Sequence, residues 1–436
     1  MRLVNVSKNK IMNLLIILLG KTISKFSKLT NLGNGSTWPG HLALSLNNNF
    51  LKDVLVKRQF KIILVAGTNG KTTTGKLIQT MLEEGGKKVF QNDSGANLIN
   101  GIASAIIKNS STFGKLNYDF AIFEVDENTV PVLLQLTSAD FIVCLNLFRD
   151  QLDRYGEVNI ILEKWKKAFL KLPKKTKLIL NADDPKIAYL GSDAKNVKYF
   201  GVSNGKLNKI DHASDSSYCP KCGNKLIYKS ITFSHLGDWT CKNCKINKPK
   251  PDIESFDSYP LLGLYNKYNT NAAVLTVKSL GVSDGIIKKA LRDFKPAFGR
   301  QEVLEYKEKK IQLFLSKNPA SFNQSIATIN DLKAKNLLIV LNDKIPDGRD
   351  VSWIWDVDFE NNLRNFKNIF VSGDRVYDIV LRLKYADWNN AKVYNLLSDA
   401  IEKSVDSTPS NETLYILPTY SAMLDLRKIL KGKKIL

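Results

Sequence analysis

The chain has 436 residues, 44% of them apolar and 24% charged, with 64 Lys and Arg against 42 Asp and Glu and a formal net charge of +22. This length and composition exclude a disordered chain and leave room for two or three domains with cores of their own. The excess of cations suits an anionic partner (nucleic acid, an anionic membrane face or a phosphorylated substrate), or else a generally lysine-rich soluble surface.

At the N-terminus, Arg2, Lys8 and Lys10 precede "IMNLLIILLG", which looks superficially like the apolar core of a secretory signal. The following "KTISKFSKLT" offers no small-residue cleavage site. The apolar run from Ile11 to Leu19 is well short of the ~20 residues that span a bilayer. With Lys21, Lys25 and Lys28 behind it, the run reads as an amphipathic helix that packs on the body, contact with anionic lipid being the alternative. Residues 1–50 are therefore assigned to an N-terminal helical segment.

From Phe60 onward strand and helix patterns alternate. "KIILVAG" reads as a buried strand, and "KTTTGKLIQTMLEEGG" as a helix with Leu77, Ile78, Met81 and Leu82 on one face, ended by Gly85 and Gly86. "KVFQND" is a short strand, "GANLINGIASAIIKNS" helical, and "YDFAIFEVDE" a strand ending in acids. "DFIVCLNLF" is another strand, "IILEKWKKAFLKL" a helix, and "TKLILNADDP" a strand running into a turn. Such alternation predicts a mostly parallel sheet covered by helices. Residues 214–251, rich in Lys, Asn, Cys and Pro, break the pattern and read as an insertion. A boundary near residue 300 closes a central domain of residues 51–300. Strand-to-helix units at "NLLIVLND", "NIFVSGD" and "LYILPTYS" predict a second α/β domain over residues 301–436.

The stretch Gly67-Thr68-Asn69-Gly70-Lys71-Thr72-Thr73 lies between a strand and a helix. Val65 stands where the general phosphate-loop pattern has its first glycine, so that pattern is not met. The physics of a phosphate cradle still holds. Loop and helix N–H groups bind phosphate oxygens, Lys71 adds a point charge, and the Thr72 hydroxyl can ligate Mg²⁺. Four of the five cysteines form Cys219-x-x-Cys222 and Cys241-x-x-Cys244, joined by a β-like stretch. In an unsecreted chain such pairs predict a closed, structural zinc site rather than disulfides. Cys144 falls in an apolar strand, and His41, His212 and His235 lie in no catalytic context. A glutaminase needs a Cys nucleophile and a His base, so any ammonia used here must come from solution or from another chain.

"GTNGKTT" in this setting resembles the ATP-binding loop of the Mur ligase superfamily, whose members phosphorylate a carboxylate and let an amine displace phosphate. Further motifs follow in the family's order. The resemblance implies ATP binding by Gly67, Thr68, Asn69, Gly70, Lys71, Thr72 and Thr73, and magnesium binding by Thr72 and Glu124 of "IFEVDE", Glu124 thereby serving catalysis. It implies adenine contacts by Asn266 and Asn269 of "LYNKYNTNAA", and a place near the phosphates for Arg300 of "FGRQE". "NLFRDQLDRYG" matches through Asn146, Asp150, Leu152 and Asp153, but Gln151 stands where relatives place a metal-binding His. A carbamylated lysine is not assigned to Lys164, Lys166 or Lys167, which fit a solvated helix face as well.

In the C-terminal region, "LSKNPASFNQS" and "LNDKIPDGRDVSWIWDVDFE", together with the four-cysteine insertion, resemble the MurT family within this superfamily. That family pairs with a GatD-type glutamine amidotransferase. The resemblance implies amidation of the D-glutamate α-carboxyl of the lipid II stem peptide, in the cytoplasm or peripherally at the inner membrane face. It implies that Asp350 completes the partner's Cys-His pair, with Asp347 the next candidate, and that Trp353 and Trp355 suit the interface. The alternatives are an amino-acid-adding Mur or folylpolyglutamate-type ligase and, in another class, a zinc-ribbon nucleic-acid-binding ATPase. The chain lacks aromatic-basic interleaving of the RNA-binding kind, so the reading has ATP, Mg²⁺ and Zn²⁺ as cofactors and no nucleic acid.

Overall fold

The computed structural model describes residues 2–29, 37–93, 95–149, 158–203, 215–297 and 299–431, with the side chains of residues 2–10 and 27–29 excepted. Asp150, Gln151, Leu152, Asp153 and His212 therefore lie outside the described residues.

Three helices open the chain, α1 (Arg2–Leu29), α2 (Trp38–Leu46) and α3 (Phe50–Leu55). Next come β1 (Lys61–Ala66), α4 (Lys71–Glu84), β2 (Val89–Gln91), α5 (Ile99–Asn109), β3 (Phe120–Val125), α6 (Thr129–Leu136) and β4 (Phe141–Cys144). The central part continues with α7 (Val158–Phe169), β5 (Lys177–Asn181), α8 (Pro185–Tyr189) and β6 (Val197–Phe200). The strands make one parallel sheet in the order β2-β3-β1-β4-β5-β6. Because side chains alternate across a strand, β1 feeds two cores. Ile62, Leu64 and Ala66 face a cluster with Ile16, Phe50, Ile106 and Trp165, while Ile63 and Val65 face Leu77, Met81 and Ala273. A strand buried on both faces has to be apolar throughout, which is why "IILVA" carries no polar residue. The antiparallel pair β7 (Ile227–Phe233) and β8 (Leu236–Thr240) forms the insertion, so the stretch "KLIYKSITFS" is the first arm of a hairpin. The helices α9 (Leu264–Lys278) and α10 (Asp284–Arg292) return to the second core.

A second sheet opens at Arg300 with a hairpin that the sequence reading did not anticipate, β9 (Arg300–Tyr306) against β10 (Lys309–Phe314). It continues through α11 (Pro319–Asp331), β11 (Asn336–Val340), a 3₁₀ turn at Ser352–Asp356, α12 (Phe359–Asn362), β12 (Asn368–Ser372) and α13 (Val376–Tyr385). The last elements are β13 (Lys392–Val393), α14 (Leu397–Asp406), β14 (Thr413–Pro418) and α15 (Tyr420–Lys431). The order is β13-β12-β11-β14-β10-β9, parallel except for β9. Polar alternation in "RQEVLEY" marks β9 as an edge with one solvated face, which distinguishes it from the buried β11.

Candidate functional site

The loop after β1 leaves the sheet at its carboxyl edge, where β1 lies between β3 and β4. Its glycines are dictated by contact. Gly67 has φ +133° and Gly70 φ +93°; a Cβ on Gly67 would meet Asn146 N at 2.9 Å, and one on Gly70 would meet Asn269 Oδ1 at 2.1 Å. Asn146 clamps the loop by accepting from Asn69 N at 2.9 Å and donating to Asn69 O at 3.0 Å. The Thr68 hydroxyl accepts from Phe148 N at 3.0 Å and donates to Phe148 O at 3.1 Å. α4 then starts at Lys71, so its unpaired N–H groups and positive dipole end face the loop's hollow.

Lys71 is buried and donates from Nζ to Gly67 O at 2.6 Å and Thr68 O at 3.3 Å, with Glu127 Oε1 at 3.5 Å. Burial alone would raise the Glu127 carboxyl, yet the charges of Lys71 and Lys317 hold it below the usual carboxylate value. The Thr72 hydroxyl donates to Glu124 Oε2 at 2.8 Å. Asn92 fixes Glu124 through its backbone, accepting from its N–H at 2.8 Å and donating to its carbonyl at 2.9 Å. Thr72 and Glu124 thus bring a hydroxyl and a carboxylate together, hard oxygen donors of the kind that could hold Mg²⁺.

A cleft runs from this loop toward the C-terminal sheet, with polar and apolar side chains converging on it as in a small-molecule site. Asn69, Asn266, Asn269 and Arg300 line it beside apolar walls from Phe148, Phe233, Leu236 and Leu261. Asn266 donates to Leu262 O at 2.7 Å and accepts from Asn269 at 3.0 Å, which fixes both amides at the cleft wall. Arg300 is half-buried; desolvation pulls its guanidinium below the usual arginine value, opposed by the charge of Glu124. The cleft's far lip is the start of α11. Asn318 caps that helix by accepting from Ser321 N at 2.9 Å, and its amide meets Asn69 Oδ1 at 3.1 Å.

The four-cysteine insertion is joined to this cleft. The four Sγ atoms lie within 4.8 Å of one another, with 3.5 Å between Cys219 and Cys244 and between Cys222 and Cys241. Tetrahedral zinc at its usual bond length places sulfurs about 3.8 Å apart, so this donor set fits Zn²⁺. The hairpin that leaves the cluster delivers Phe233 and Leu236 to the cleft wall. Between them, buried His235 lies 3.4 Å from Asp184, which also accepts from Leu147 N at 2.9 Å and Lys186 N at 2.9 Å. Trp239 donates to Ala182 O at 3.0 Å, and Tyr268 to Asp183 at 2.5 Å. Phe148, Phe233, Leu236 and Asn318 were not singled out from the sequence. Only the proximity of "SITFSHL" to the cysteines could have pointed to the hairpin residues.

At the second sheet the loop after β11 separates two aspartates. Asp347 is buried and accepts from Ser421 N at 2.9 Å and from the Ser421 hydroxyl, which ties it to the start of α15; burial raises its carboxyl. Asp350 is exposed and takes the Ser352 N–H at 2.8 Å, a bond that lowers its carboxyl below the ordinary value. Asp347 is thus a structural anchor, not a surface alternative to Asp350. Trp353 packs inward against Phe322, with ring centroids 5.5 Å apart, so the expectation that both tryptophans present to a partner is corrected to Trp355. Trp355, Ile345, Leu381 and Tyr385 are exposed.

Residues 65–277 match the Mur ligase middle domain, and residues 315–423 match the MurT ligase C-terminal family. The subunit MurT of lipid II isoglutaminyl synthase (glutamine-hydrolyzing) from Staphylococcus aureus (strain COL) is 32% identical over 372 residues, 81% of this chain and 83% of that protein. The chain belongs to the MurT family. A second MurT, from Streptococcus pneumoniae (strain ATCC BAA-255 / R6), is 32% identical over 434 residues, 93% of this chain and 95% of that protein. The fold is that of Mur ligases. A pseudomurein peptide ligase type C from Methanothermus fervidus superposes with a TM-score of 0.65 at 23% identity, covering 89% of this chain and 84% of that one. MurF ligase from Thermotoga maritima in complex with ADP superposes with a TM-score of 0.60 at 15% identity, covering 90% and 83%.

Proposed function

We propose that this chain is the ATP-dependent subunit of a lipid II isoglutaminyl synthase. The α-carboxylate of D-glutamate in the lipid II stem peptide attacks the γ-phosphorus of ATP. The bond from that phosphorus to the bridging oxygen breaks, ADP leaves, and an acyl phosphate forms. Ammonia then attacks the acyl carbon, the C–O bond to phosphate breaks, inorganic phosphate departs, and loss of a proton leaves D-isoglutamine.

Loop residues 67–73 receive the phosphates on backbone N–H groups, and Lys71 exchanges its present carbonyl partners for phosphate oxygens. Thr72 and Glu124 would hold Mg²⁺. The ion's contribution is to neutralise phosphate charge. Asn266 and Asn269 read adenine in the cleft that Phe148 and Leu236 line, while Arg300 faces the phosphates. The chain does not supply its own ammonia. Cys144 is fully buried, and burial pushes its thiol far up; the other four cysteines form the zinc set. A GatD-like amidotransferase therefore supplies it, and Asp350 completes that partner's Cys-His pair by fixing the His tautomer and stabilising the imidazolium. Because lipid II is held in the membrane, the complex works in the cytoplasm, peripherally at the inner membrane face.

The observation that supports this reading is a pair of features in one chain: a cleft beside the loop of residues 67–73 that Asn266, Asn269 and Arg300 line and, after β11, the exposed Asp350. The test is to supply lipid II, ATP, Mg²⁺ and glutamine to the chain with its amidotransferase and to follow the product by mass spectrometry. Conversion of one carboxylate to a carboxamide is expected. Addition of an amino acid instead, or ADP release without amide, would overturn the reading.

A further inference from the structure

α1 is apolar on two sides. One side, Ile16, Ile17 and Gly20, is buried against the body, where Gly20 closes on Ile107 and Pro39. The opposite side carries Ile11, Leu15, Leu18, Leu19 and Phe26, all exposed, with exposures of 59% for Ile11 and 63% for Phe26. At 100° per residue these five fall within about a third of the helix circumference. Lys25 and Lys21 border that arc on one edge, exposed and half-buried respectively. Other exposed rings lie close by. Phe113, 81% exposed, caps a turn whose Gly114 comes close enough to α1 that a Cβ there would meet Ile17 at 3.3 Å; exposed Trp38 starts α2, which packs on α1.

The charge carried by α1 itself is of one sign, and the carboxylate of Asp53 on α3 meets the helix at Asn13, 3.3 Å away, on the side that packs on the body. The first 52 residues hold Arg2, Lys8, Lys10, Lys21, Lys25, Lys28 and Lys52 and no Asp or Glu. Among the described residues no helix is long and apolar enough to cross a membrane. A helix with one face fixed to a folded body, the other face apolar, a basic border and aromatic rings nearby has the build of an element that lies in a lipid interface.

We infer that the outer face of α1, with Phe113 and Trp38 nearby, docks this protein onto an anionic lipid bilayer. The inference rests on the reading of a membrane-held substrate and names the surface that meets the membrane. An anionic protein or nucleic acid would be met by the lysines but would leave five apolar side chains without a purpose. A second copy would bring the same positive charge against itself.

The test is sedimentation of the full chain with vesicles of phosphatidylglycerol and phosphatidylcholine that contain no lipid II, in the absence of ATP and glutamine. Failure of the amidation reading therefore cannot affect the result. Binding is expected to anionic vesicles, weaker to phosphatidylcholine alone, and to fall with salt. Leu15→Asp with Leu18→Asp should lower the bound fraction at least about tenfold without changing the melting temperature. Lys21→Glu with Lys25→Glu, both away from the core, should weaken binding to anionic vesicles only. Quenching of tryptophan fluorescence by brominated acyl chains provides a readout on the unmodified chain. Absence of binding and quenching in the wild type, or equal binding by the leucine variant, would overturn the inference. So would a wild-type dimer that the leucine variant makes monomeric, because a second copy would then cover the face.

Discussion

The loop after β1 and the loop after β11 occupy equivalent places, each at the carboxyl edge of a parallel strand, yet they are finished to different degrees. In the first, the Lys71 and Thr72 side chains and the Asn69 backbone already have partners within the chain: Lys71 on Gly67 and Thr68 carbonyls, Thr72 on Glu124, Asn69 on Asn146. In the second, Asp350 is exposed and held within the chain by Ser352, while Trp355 and Tyr385 are exposed and pack on each other with ring centroids 5.3 Å apart. A prearranged buried cradle can act alone on a small diffusible substrate. An exposed carboxylate with an apolar rim has the form of half a site, in need of another molecule's groups. The synthetase chemistry and the glutaminase chemistry should therefore be separable by mutation within one chain.

The largest separation is expected from Asp350→Asn. Glutamine-driven amidation should fall by about 10⁴-fold, the scale seen when a carboxylate that orients a catalytic His is replaced by an amide. Amidation driven by concentrated free ammonia, and binding to the amidotransferase, should be unchanged. If glutamine hydrolysis by the complex is unaffected, the two loops do not differ in the way described. Lys71→Ala should reduce both nitrogen-donor reactions together by about 10³-fold, as for loss of one preorganised transition-state contact. Circular dichroism should show an intact fold, and near-normal turnover would remove the first loop from the phosphate site.

Removing the metal should have a smaller and different effect. The purified chain should contain about one zinc, and Cys222→Ser should abolish it and lower the melting temperature, because the insertion has little core apart from its metal. Since the same hairpin carries Phe233 and Leu236 to the cleft, KM for ATP should rise by about tenfold, equivalent to partial loss of one buried apolar contact. Elemental analysis and initial rates over a range of ATP concentrations measure both; a metal-free wild type with full ATP affinity would contradict the link between ribbon and cleft. The smallest effect is expected from Asp347→Ala, which removes the bonds to Ser421 and should cost about 1–2 kcal/mol of stability in a denaturant titration. Glutamine hydrolysis by the complex should persist, in contrast to the Asp350 variant.

Five of the six strands of the central sheet were legible, as in "KIILVAG" and "DFIVCLNLF", because burial on both faces demands unbroken apolar runs; the edge strand β6, "VKYF", is mostly half-buried and was missed. The phosphate loop was legible because its glycines and Lys-Thr pair are adjacent in sequence, and the cysteine cluster because metal ligands come in short spaced pairs. β9 was missed because its polar alternation resembles a surface loop until β10 pairs with it. α6 was missed because "TVPVLLQL" is short and carries a proline.

The local chemistry of this protein was determined by sequence alone: a phosphate loop, a four-thiolate set and an aspartate-rich turn, each coded by neighbours along the chain. What the tertiary structure decided was association between distant parts. It brought Phe233 and Leu236 of the four-cysteine hairpin to the cleft beside the loop of residues 67–73, and Asn318 to Asn69 across 249 residues. It also set Asp347 inside and Asp350 outside, although only two residues separate them. The physical reason is that burial and long-range hydrogen bonds depend on which surfaces the chain packs together. A carboxylate's role follows from whether a donor such as Ser421 awaits it, and no local pattern in the sequence specifies that donor.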